Sequence, residues 1–130
     1  VVIGGGVVGT NAIRMAMGME AQVTVLDRSL ERLTTLDFQY GGRLNTIYST
    51  RHALEEYVLD ADLVVGAVLV PGAISPVVVT RDMVKQMSQG SVIVDMATET
   101  GGNVEGSDCL WHTPADPGPN FGNAAPGGGA

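Results

Sequence analysis

Cysteine is almost absent from this chain of 130 residues. Cys109 is the only one, which excludes an intrachain disulfide framework and any zinc site built from several cysteines. A protein without disulfides fits a reducing compartment. We therefore expect a fold held together by its apolar core, with no bound metal.

Basic residues and long apolar runs are also scarce. Seven Lys and Arg stand against fourteen Asp and Glu, which gives a formal net charge of -7 at pH 7, so a nucleic-acid surface is not indicated. The longest apolar stretch, residues 63–70, is too short to cross a bilayer, and no charged segment followed by an apolar one opens the chain. We expect a cytoplasmic protein without direct membrane contact.

Apolar residues make up 45% of the chain, enough for one domain with a buried core. Runs rich in Val and Ile alternate with helix-like runs, which predicts an α/β fold: a Rossmann-type, doubly wound parallel sheet of about five strands. The predicted strands cover residues 1–3, 22–26, 44–48, 63–68 and 91–95. The predicted helices cover about residues 8–19, 29–38, 49–59 and 80–87, and either Ser49 or Thr50 is expected to cap the third helix.

Both ends of the chain depart from a complete domain of this kind. The first strand begins abruptly at Val1, whereas a typical strand has about five or six residues. Residues 108–130 carry four prolines and a run of glycines without a periodic apolar pattern, which predicts a disordered tail. We therefore expect a partial Rossmann domain at residues 1–107, truncated at both ends, and a tail at residues 108–130.

Three glycines, Gly4, Gly6 and Gly9, form the pattern G-x-G-x-x-G between the first predicted strand and helix. Gly4 permits a tight turn, Gly6 lets the backbone approach a pyrophosphate, and Gly9 lets the helix pack closely on the strand. The start of the helix supplies amide hydrogens and a partial positive charge to the phosphates. Glycine triplets also occur in ordinary turns, so the assignment depends on a second feature.

Asp27 is that second feature, because it follows the second predicted strand at the distance expected for a carboxylate that binds the adenosine ribose. A carboxylate at this position would repel a 2′-phosphate, which favours NAD over NADP. Arg28 leaves NADP open, since a neighbouring arginine can accept the phosphorylated cofactor. The purely structural alternative for Asp27 is a turn residue or helix cap.

Open parallel sheets bind ligands outside the carboxyl ends of their strands, next to the first strand. Residues 66–72 and 96–102 are therefore expected to face the cofactor together with residues 4–9. Within these segments, Val68, Leu69 and Met96 are equally compatible with ordinary core or rim positions. Asp95 ends the fifth strand and is expected to cap the next turn or to stabilise the cleft.

Several stretches resemble the NAD-binding domain that alanine dehydrogenase shares with the NAD-binding subunit of proton-translocating transhydrogenase. They lie within residues 1–107, at residues 3–12, 25–28, 42–43, 61–73 and 90–95. The run Gly-Ala-Val-Leu-Val-Pro-Gly-Ala at residues 66–73, Arg43 and the pair Tyr48-Ser49 resemble alanine dehydrogenase in particular.

The resemblance implies which residues contact NAD. The expected contacts run from the pyrophosphate through the adenosine half and the cleft wall to the nicotinamide side: Gly4, Gly6, Val7, Val8 and Gly9; Asp27, Arg32 and Ser49; Val68 and Leu69; and Met96, Ala97, Thr98 and Glu99. A solvated charge is the structural alternative for Arg32, and a helix cap is the alternative for Ser49.

Glu99 is the candidate catalytic residue under this resemblance. Alanine dehydrogenases resemble one another in carrying an aspartate just before the Gln-Gly-Gly that follows the fifth strand. This chain instead has Glu99-Thr100-Gly101-Gly102-Asn103. That sequence looks more like transhydrogenase. The longer side chain would displace the carboxylate by about 1 Å, enough to lower the rate where positioning is demanding.

The resemblance implies that the parent protein is an alanine dehydrogenase, a homo-oligomeric, NAD-dependent enzyme that converts L-alanine, NAD and water to pyruvate, ammonium and NADH. The substrate would be bound by a catalytic domain that this chain lacks, so the chain alone is expected to be inactive. Two alternatives stay open. One is the NAD-binding subunit of transhydrogenase, favoured by Glu99 and Asn103, and the other is a non-catalytic NAD-sensing module.

Overall fold

The computed structural model describes residues 1–105, apart from the side chain of Glu99. The strands are Val2–Ile3 (β1), Val23–Asp27 (β2), Leu44–Tyr48 (β3), Leu63–Gly66 (β4) and Val92–Asp95 (β5). The α-helices are Val7–Gly18 (α1), Leu30–Tyr40 (α2), Arg51–Leu59 (α3) and Arg81–Gln86 (α4), with 3-10 helices at Gly41–Arg43 and Thr98–Thr100. The tail predicted at residues 108–130, which contains Cys109, lies outside the described residues.

The five strands form one parallel sheet in the order β3-β2-β1-β4-β5. The short central strand β1 pairs on both sides, since Val2 lies opposite Val25 of β2 and Val65 of β4. The chain moves outward from β1 to β3 and then crosses back to β4, so the direction of winding reverses beside β1. This confirms the predicted doubly wound parallel sheet.

Two apolar cores lie on opposite faces of the sheet, because strands buried on both sides carry apolar residues at successive positions. The first core packs α1 and α2 onto the sheet through Val2, Ile13, Val23, Val25, Leu33, Leu36 and Leu44. The second packs α3 and α4 onto the other face through residues that include Ile3, Leu26, Leu54, Val58, Val64, Met83, Val84 and Ile93.

Hydroxyl side chains cap three of the helices. The Ser29 hydroxyl accepts a hydrogen bond from the Arg32 amide at 3.1 Å, and the Thr50 hydroxyl accepts one from Ala53 at 3.1 Å. The Thr80 hydroxyl caps α4 in the same way. Of the two candidates for the cap of α3, Thr50 therefore fills the role and Ser49 does not.

The fourth strand is shorter than residues 63–68, the range that its apolar run predicts. It ends at Gly66, although the amide of Ala67 still donates to the carbonyl of Ile3 at 2.8 Å. At Val68 the backbone lies beyond the end of β4 and bonds to the side chain of Asn103. An apolar run predicts burial, but it does not predict where sheet pairing stops.

Candidate functional site

The carboxyl ends of all five parallel strands lie at one edge of the sheet. The segments that follow these strands therefore meet there, together with the first turn of α2. They carry the residues that the sequence indicated: Gly4, Gly6, Val7, Val8, Gly9, Asp27, Arg32, Ser49, Val68, Leu69, Met96, Ala97 and Thr98. The backbone of Glu99 lies there too, within Thr98–Thr100, but its side chain is outside the described part of the structure.

The glycine loop between β1 and α1 is shaped by close contacts that a side chain would block. Gly4 has a φ of 99°, and a Cβ there would lie 2.8 Å from the carbonyl oxygen of Ala67. A Cβ on Gly9 would overlap the carbonyl oxygen of Gly4. Gly6 is different, because a Cβ there would meet no atom within 4 Å. Gly4 and Gly9 are therefore required by packing, while Gly6 borders open space.

The start of α1 is open on the side of Gly6. Gly6 is the N-cap residue, and no described side chain caps the helix or places an acidic group in its first turn. Val7 is 80% exposed. The first amide hydrogens of a helix have no acceptor within the helix and carry its partial positive charge. This geometry suits a phosphate group, and the open space beside Gly6 is where a pyrophosphate could approach the backbone.

Asp27 connects the end of β2 to the glycine loop. One carboxylate oxygen accepts from the amide of Gly5 at 2.7 Å, and the other accepts from the amide of Ser29 at 2.8 Å. A carboxylate has about four acceptor positions, so each oxygen retains capacity for a further donor. Asp27 therefore has the structural role of a turn residue and can also accept hydrogen bonds from two ribose hydroxyls.

Arg32 is bonded to the glycine loop and is only partly exposed, so it is not a freely solvated charge. Its Nε donates to the carbonyl of Gly5 at 2.5 Å, and its Nη2 donates to the hydroxyl of Thr10 at 2.7 Å. The Thr10 hydroxyl donates to the same carbonyl at 3.2 Å. The contacts of Gly5 and Thr10 were not predicted from the sequence, although a threonine near the start of α1 is a residue that can bond to the loop before it.

Ser49 follows β3 and is joined to Asp27 through the backbone. Its amide donates to the carbonyl of Asp27 at 2.9 Å, which continues the pairing of β2 with β3. The side chain of Ser49 is half-buried and does not cap α3. This position beside Asp27 is compatible with the adenosine contact that the resemblance implies.

The opposite side of the site is formed by the segments after β4 and β5. Leu69 and Met96 are 47% and 51% exposed, and Val68 and Thr98 are half-buried. Open parallel sheets bind ligands in a crevice at this edge, so we call these four residues the cleft wall. Ala97 differs, because it is 1% exposed and its amide donates to a carboxylate oxygen of Asp95. Ala97 thus shapes the turn behind the wall.

Asp95 and Asn103 hold the turn after β5 in place. The carboxylate of Asp95 accepts from the amides of Ala97 and Val104, each at 2.9 Å. Asn103 is fully buried and bonds to Val68 and Pro76 through its side chain. In the sequence, Asn103 is only a point of resemblance, and its structural role is not predicted, because a single polar residue in a loop gives no local signal of burial.

Within residues 1–105, no group of three or more His, Cys, Asp or Glu residues could hold a metal ion. The same part of the chain contains no helix of the length and apolar character needed to cross a membrane.

Comparison with known proteins identifies a family. The family model described as "Alanine dehydrogenase/PNT, C-terminal domain" matches residues 1–115. The chain is 58% identical over 111 residues to alanine dehydrogenase from Halomonas elongata. The aligned region covers 85% of this chain and 30% of that relative. It is 52% identical over 107 residues to alanine dehydrogenase 2 from Staphylococcus aureus strain USA300, with coverage of 82% and 29%. The chain thus spans about 30% of the length of these curated relatives.

Two solved structures, one of each kind of protein named in the family description, also match the chain. A structure of L-alanine dehydrogenase matches with a TM-score of 0.80 and 46% identity, covering 89% of this chain and 32% of that protein. A transhydrogenase from Sinorhizobium meliloti matches with a TM-score of 0.71 and 35% identity, covering 81% of this chain and 30% of that protein.

Proposed function

The chain belongs to the family of alanine dehydrogenase/PNT C-terminal domains, and from this premise we propose that it is the NAD-binding domain of an alanine dehydrogenase. The dehydrogenase is favoured over transhydrogenase by identities of 58% and 52% to two alanine dehydrogenases, against 35% to the transhydrogenase structure. The observation that carries NAD binding is the pairing of an open, uncapped glycine loop with Asp27, whose carboxylate holds that loop and retains acceptor capacity.

Different residues of the site would bind different parts of the cofactor. The amides at the start of α1 would bind the pyrophosphate beside Gly6, and Asp27 would accept from the adenosine ribose. The apolar surface of Leu69 and Met96 would support the nicotinamide half and exclude water from it. When bound, NAD supplies the hydride acceptor, while the protein binds and orients it.

Discrimination between NAD and NADP would come from charge at the ribose. The carboxylate of Asp27 would repel a 2′-phosphate. Arg32, which could attract one, donates instead to Gly5 and Thr10. Arg28 is exposed and makes none of the hydrogen bonds that hold the glycine loop. We therefore expect NADH to bind more tightly than NADPH.

Calorimetric titration of the chain with NADH and NADPH tests this assignment. We expect Asp27→Asn to weaken NADH binding about 10- to 100-fold, the usual cost of losing a hydrogen bond to a charged group, and to reduce the preference over NADPH. Asp37→Asn is the matched control, because Asp37 is an exposed acid of α2. Equal affinity of the unmodified chain for both cofactors would contradict the proposal.

The whole reaction requires more than this domain. We propose that the parent protein is a homo-oligomeric cytoplasmic enzyme that interconverts L-alanine and pyruvate, with Glu99 at the nicotinamide side as a catalytic residue. Because the chain spans about 30% of its curated relatives, the substrate contacts would come from the rest of such a protein. The isolated chain is expected to bind NADH without pyruvate- and ammonium-dependent NADH oxidation. Measurable turnover in a spectrophotometric assay would refute this.

Transhydrogenase remains the second candidate, because the chain also aligns with that structure and carries Glu99 and Asn103. An assay of a protein that contains this domain separates the two. Alanine-dependent reduction of NAD supports the dehydrogenase, and hydride exchange between NADH and an NADP analogue supports transhydrogenase.

A further inference from the structure

Asn103 is the most deeply buried polar side chain in the described part of the chain. Its exposed fraction is 0%, and the two other buried polar residues are Ser75 and Ser91. It lies just behind the cleft wall, yet none of the cofactor contacts proposed above uses it. A buried amide is costly unless its donors and acceptor are paired, so its partners reveal its role.

The side-chain amide of Asn103 uses its oxygen as an acceptor and its NH2 group as a donor. Its Oδ1 accepts from the amide of Val68 at 2.8 Å, and its Nδ2 donates to the carbonyls of Val68 and Pro76, each at 3.0 Å. Exchange of oxygen and nitrogen would place an oxygen against two carbonyls. Aspartate has the same shape but lacks the NH2 group that donates both bonds.

This side chain takes the place of a strand partner. The pairing of β4 with β5 ends with the amide of Met96 donating to the carbonyl of Gly66 at 2.8 Å. At Val68, the amide and the carbonyl both bond to the side chain of Asn103, where a residue within a sheet would bond to the backbone of a neighbouring strand. A Cβ on Gly66 would lie 3.0 Å from the Cβ of Asn103, so the absence of a side chain at Gly66 admits the asparagine.

Further bonds join the same segments of chain. The carbonyl of Asn103 accepts from the amides of Val78 and Val79. The amide of Ser75 donates to the carbonyl of Thr100 at 2.7 Å, and the hydroxyls of these two residues lie 2.5 Å apart. The segments after β4 and β5 are therefore fastened together, with Asn103 at the point where they meet.

We propose that Asn103 is a positioning residue, which sets the cleft wall for the nicotinamide half of the cofactor by holding Val68 to the turn after β5. This inference rests on the proposed NAD-binding function. Asn103 acts through Val68 and does not touch the cofactor. The glycine loop and Asp27, which would hold the adenosine and the pyrophosphate, are bonded to each other and to Arg32 and not to Asn103.

The proposal predicts a selective loss of affinity. Adenosine diphosphate would use only the side of the site that holds the adenosine and pyrophosphate, with the glycine loop and Asp27, whereas NADH would also need the cleft wall. In calorimetric titrations of the full chain, Asn103→Ala is expected to weaken NADH binding about tenfold, equivalent to about 1.4 kcal/mol. The affinity for adenosine diphosphate is expected to change by less than about twofold, or about 0.4 kcal/mol.

Two variants control for composition and for stability. Asn45→Ala removes an exposed asparagine of β3. Val58→Ala removes part of a fully buried side chain of α3 and lowers stability without touching the cleft wall. Both are expected to keep the ratio of the NADH and adenosine diphosphate affinities of the unmodified chain. Equal weakening of both ligands by Asn103→Ala, or the same change of ratio in Val58→Ala, would overturn the positioning role.

Amide hydrogen exchange gives a second measurement in a milder variant, Asn103→Ser. Faster exchange is expected at Val68, Val78 and Val79, with little change in α1 and α2. Uniformly faster exchange would mean general destabilisation and would overturn the role. If the unmodified chain binds neither nucleotide, the proposed function fails and takes the positioning role with it. If it binds both and Asn103→Ala keeps the ratio, only the positioning role fails.

Discussion

At the scale of single residues, Gly5 shows how hydrogen bonds to one backbone amide and one carbonyl hold the glycine loop in place. Its amide donates to Asp27, and its carbonyl accepts from Arg32 and Thr10. A Cβ on Gly5 would lie 2.9 Å from a methyl of Leu36, so the residue is also enclosed by the core. Asp27 and Arg32 thus hold the loop in its shape, and substituting either one is expected to alter the loop as well as the proposed cofactor contact.

The contacts of the glycines predict opposite effects for two Gly→Ala variants in α1. Gly9→Ala is expected to lower the free energy of unfolding by about 1–3 kcal/mol or more, because the new Cβ would overlap the carbonyl oxygen of Gly4. Gly18→Ala, at the end of the same helix with no neighbour within 4 Å, is expected to raise it by up to about 1 kcal/mol. Urea unfolding measures both values, and an unchanged midpoint for Gly9→Ala would disprove the packing argument.

At the scale of secondary structure, the boundary between β3 and α3 shows how the partners of single groups set where an element begins. Thr50 caps α3 by accepting from Ala53, while the preceding Ser49 continues the pairing of β2 with β3 through its amide. Two adjacent hydroxyl residues therefore serve different elements, and only one of them stabilises the helix.

This division predicts unequal effects on stability. Thr50→Ala is expected to lower the free energy of unfolding by about 1 kcal/mol, because an orphan amide in the first turn of α3 loses its acceptor. Ser49→Ala, the adjacent control, is expected to change it by less than about 0.5 kcal/mol. Thermal unfolding followed by circular dichroism measures both. A larger loss of stability for Ser49→Ala than for Thr50→Ala would show that Thr50 is not the residue that caps α3.

At the scale of the whole molecule, the site exists only when the sheet is assembled. Its residues follow five different strands, and the order β3-β2-β1-β4-β5 brings them to one edge. The unfolded chain cannot form this site, so a cofactor that binds it would stabilise the folded state by mass action.

Thermal stability should accordingly depend on cofactor concentration. At an NADH concentration of 100 times its Kd, the added stability is about 2.7 kcal/mol, which corresponds to a rise in Tm of about 10–20 °C for a domain of this size. Differential scanning calorimetry measures the shift, and NADPH at the same concentration should produce a smaller one. A Tm that NADH leaves unchanged would exclude specific binding to the folded chain.

The parallel α/β architecture and the position of the glycine loop could be predicted from the amino-acid sequence. Alternating apolar runs, the spacing of Gly4, Gly6 and Gly9, and the position of Asp27 are local patterns, and helices and strands form largely in response to such patterns. Apart from shifts of one or two residues at their ends, the elements lie where these patterns predict them. The identity of the candidate cofactor residues also came from the sequence, through motif and resemblance.

The contacts that hold those residues in place could not be predicted, because they depend on the assembled fold. The bonds from Asp27 and Arg32 to Gly5 span 22 and 27 positions, and the bonds of Asn103 to Val68 span 35. No local pattern marks such partners, because they become neighbours only after the strands take their order in the sheet. The burial of Ala97 and Asn103 behind the cleft wall was hidden for the same reason: the packing of distant segments around a residue, and not its own sequence context, decides whether water reaches it.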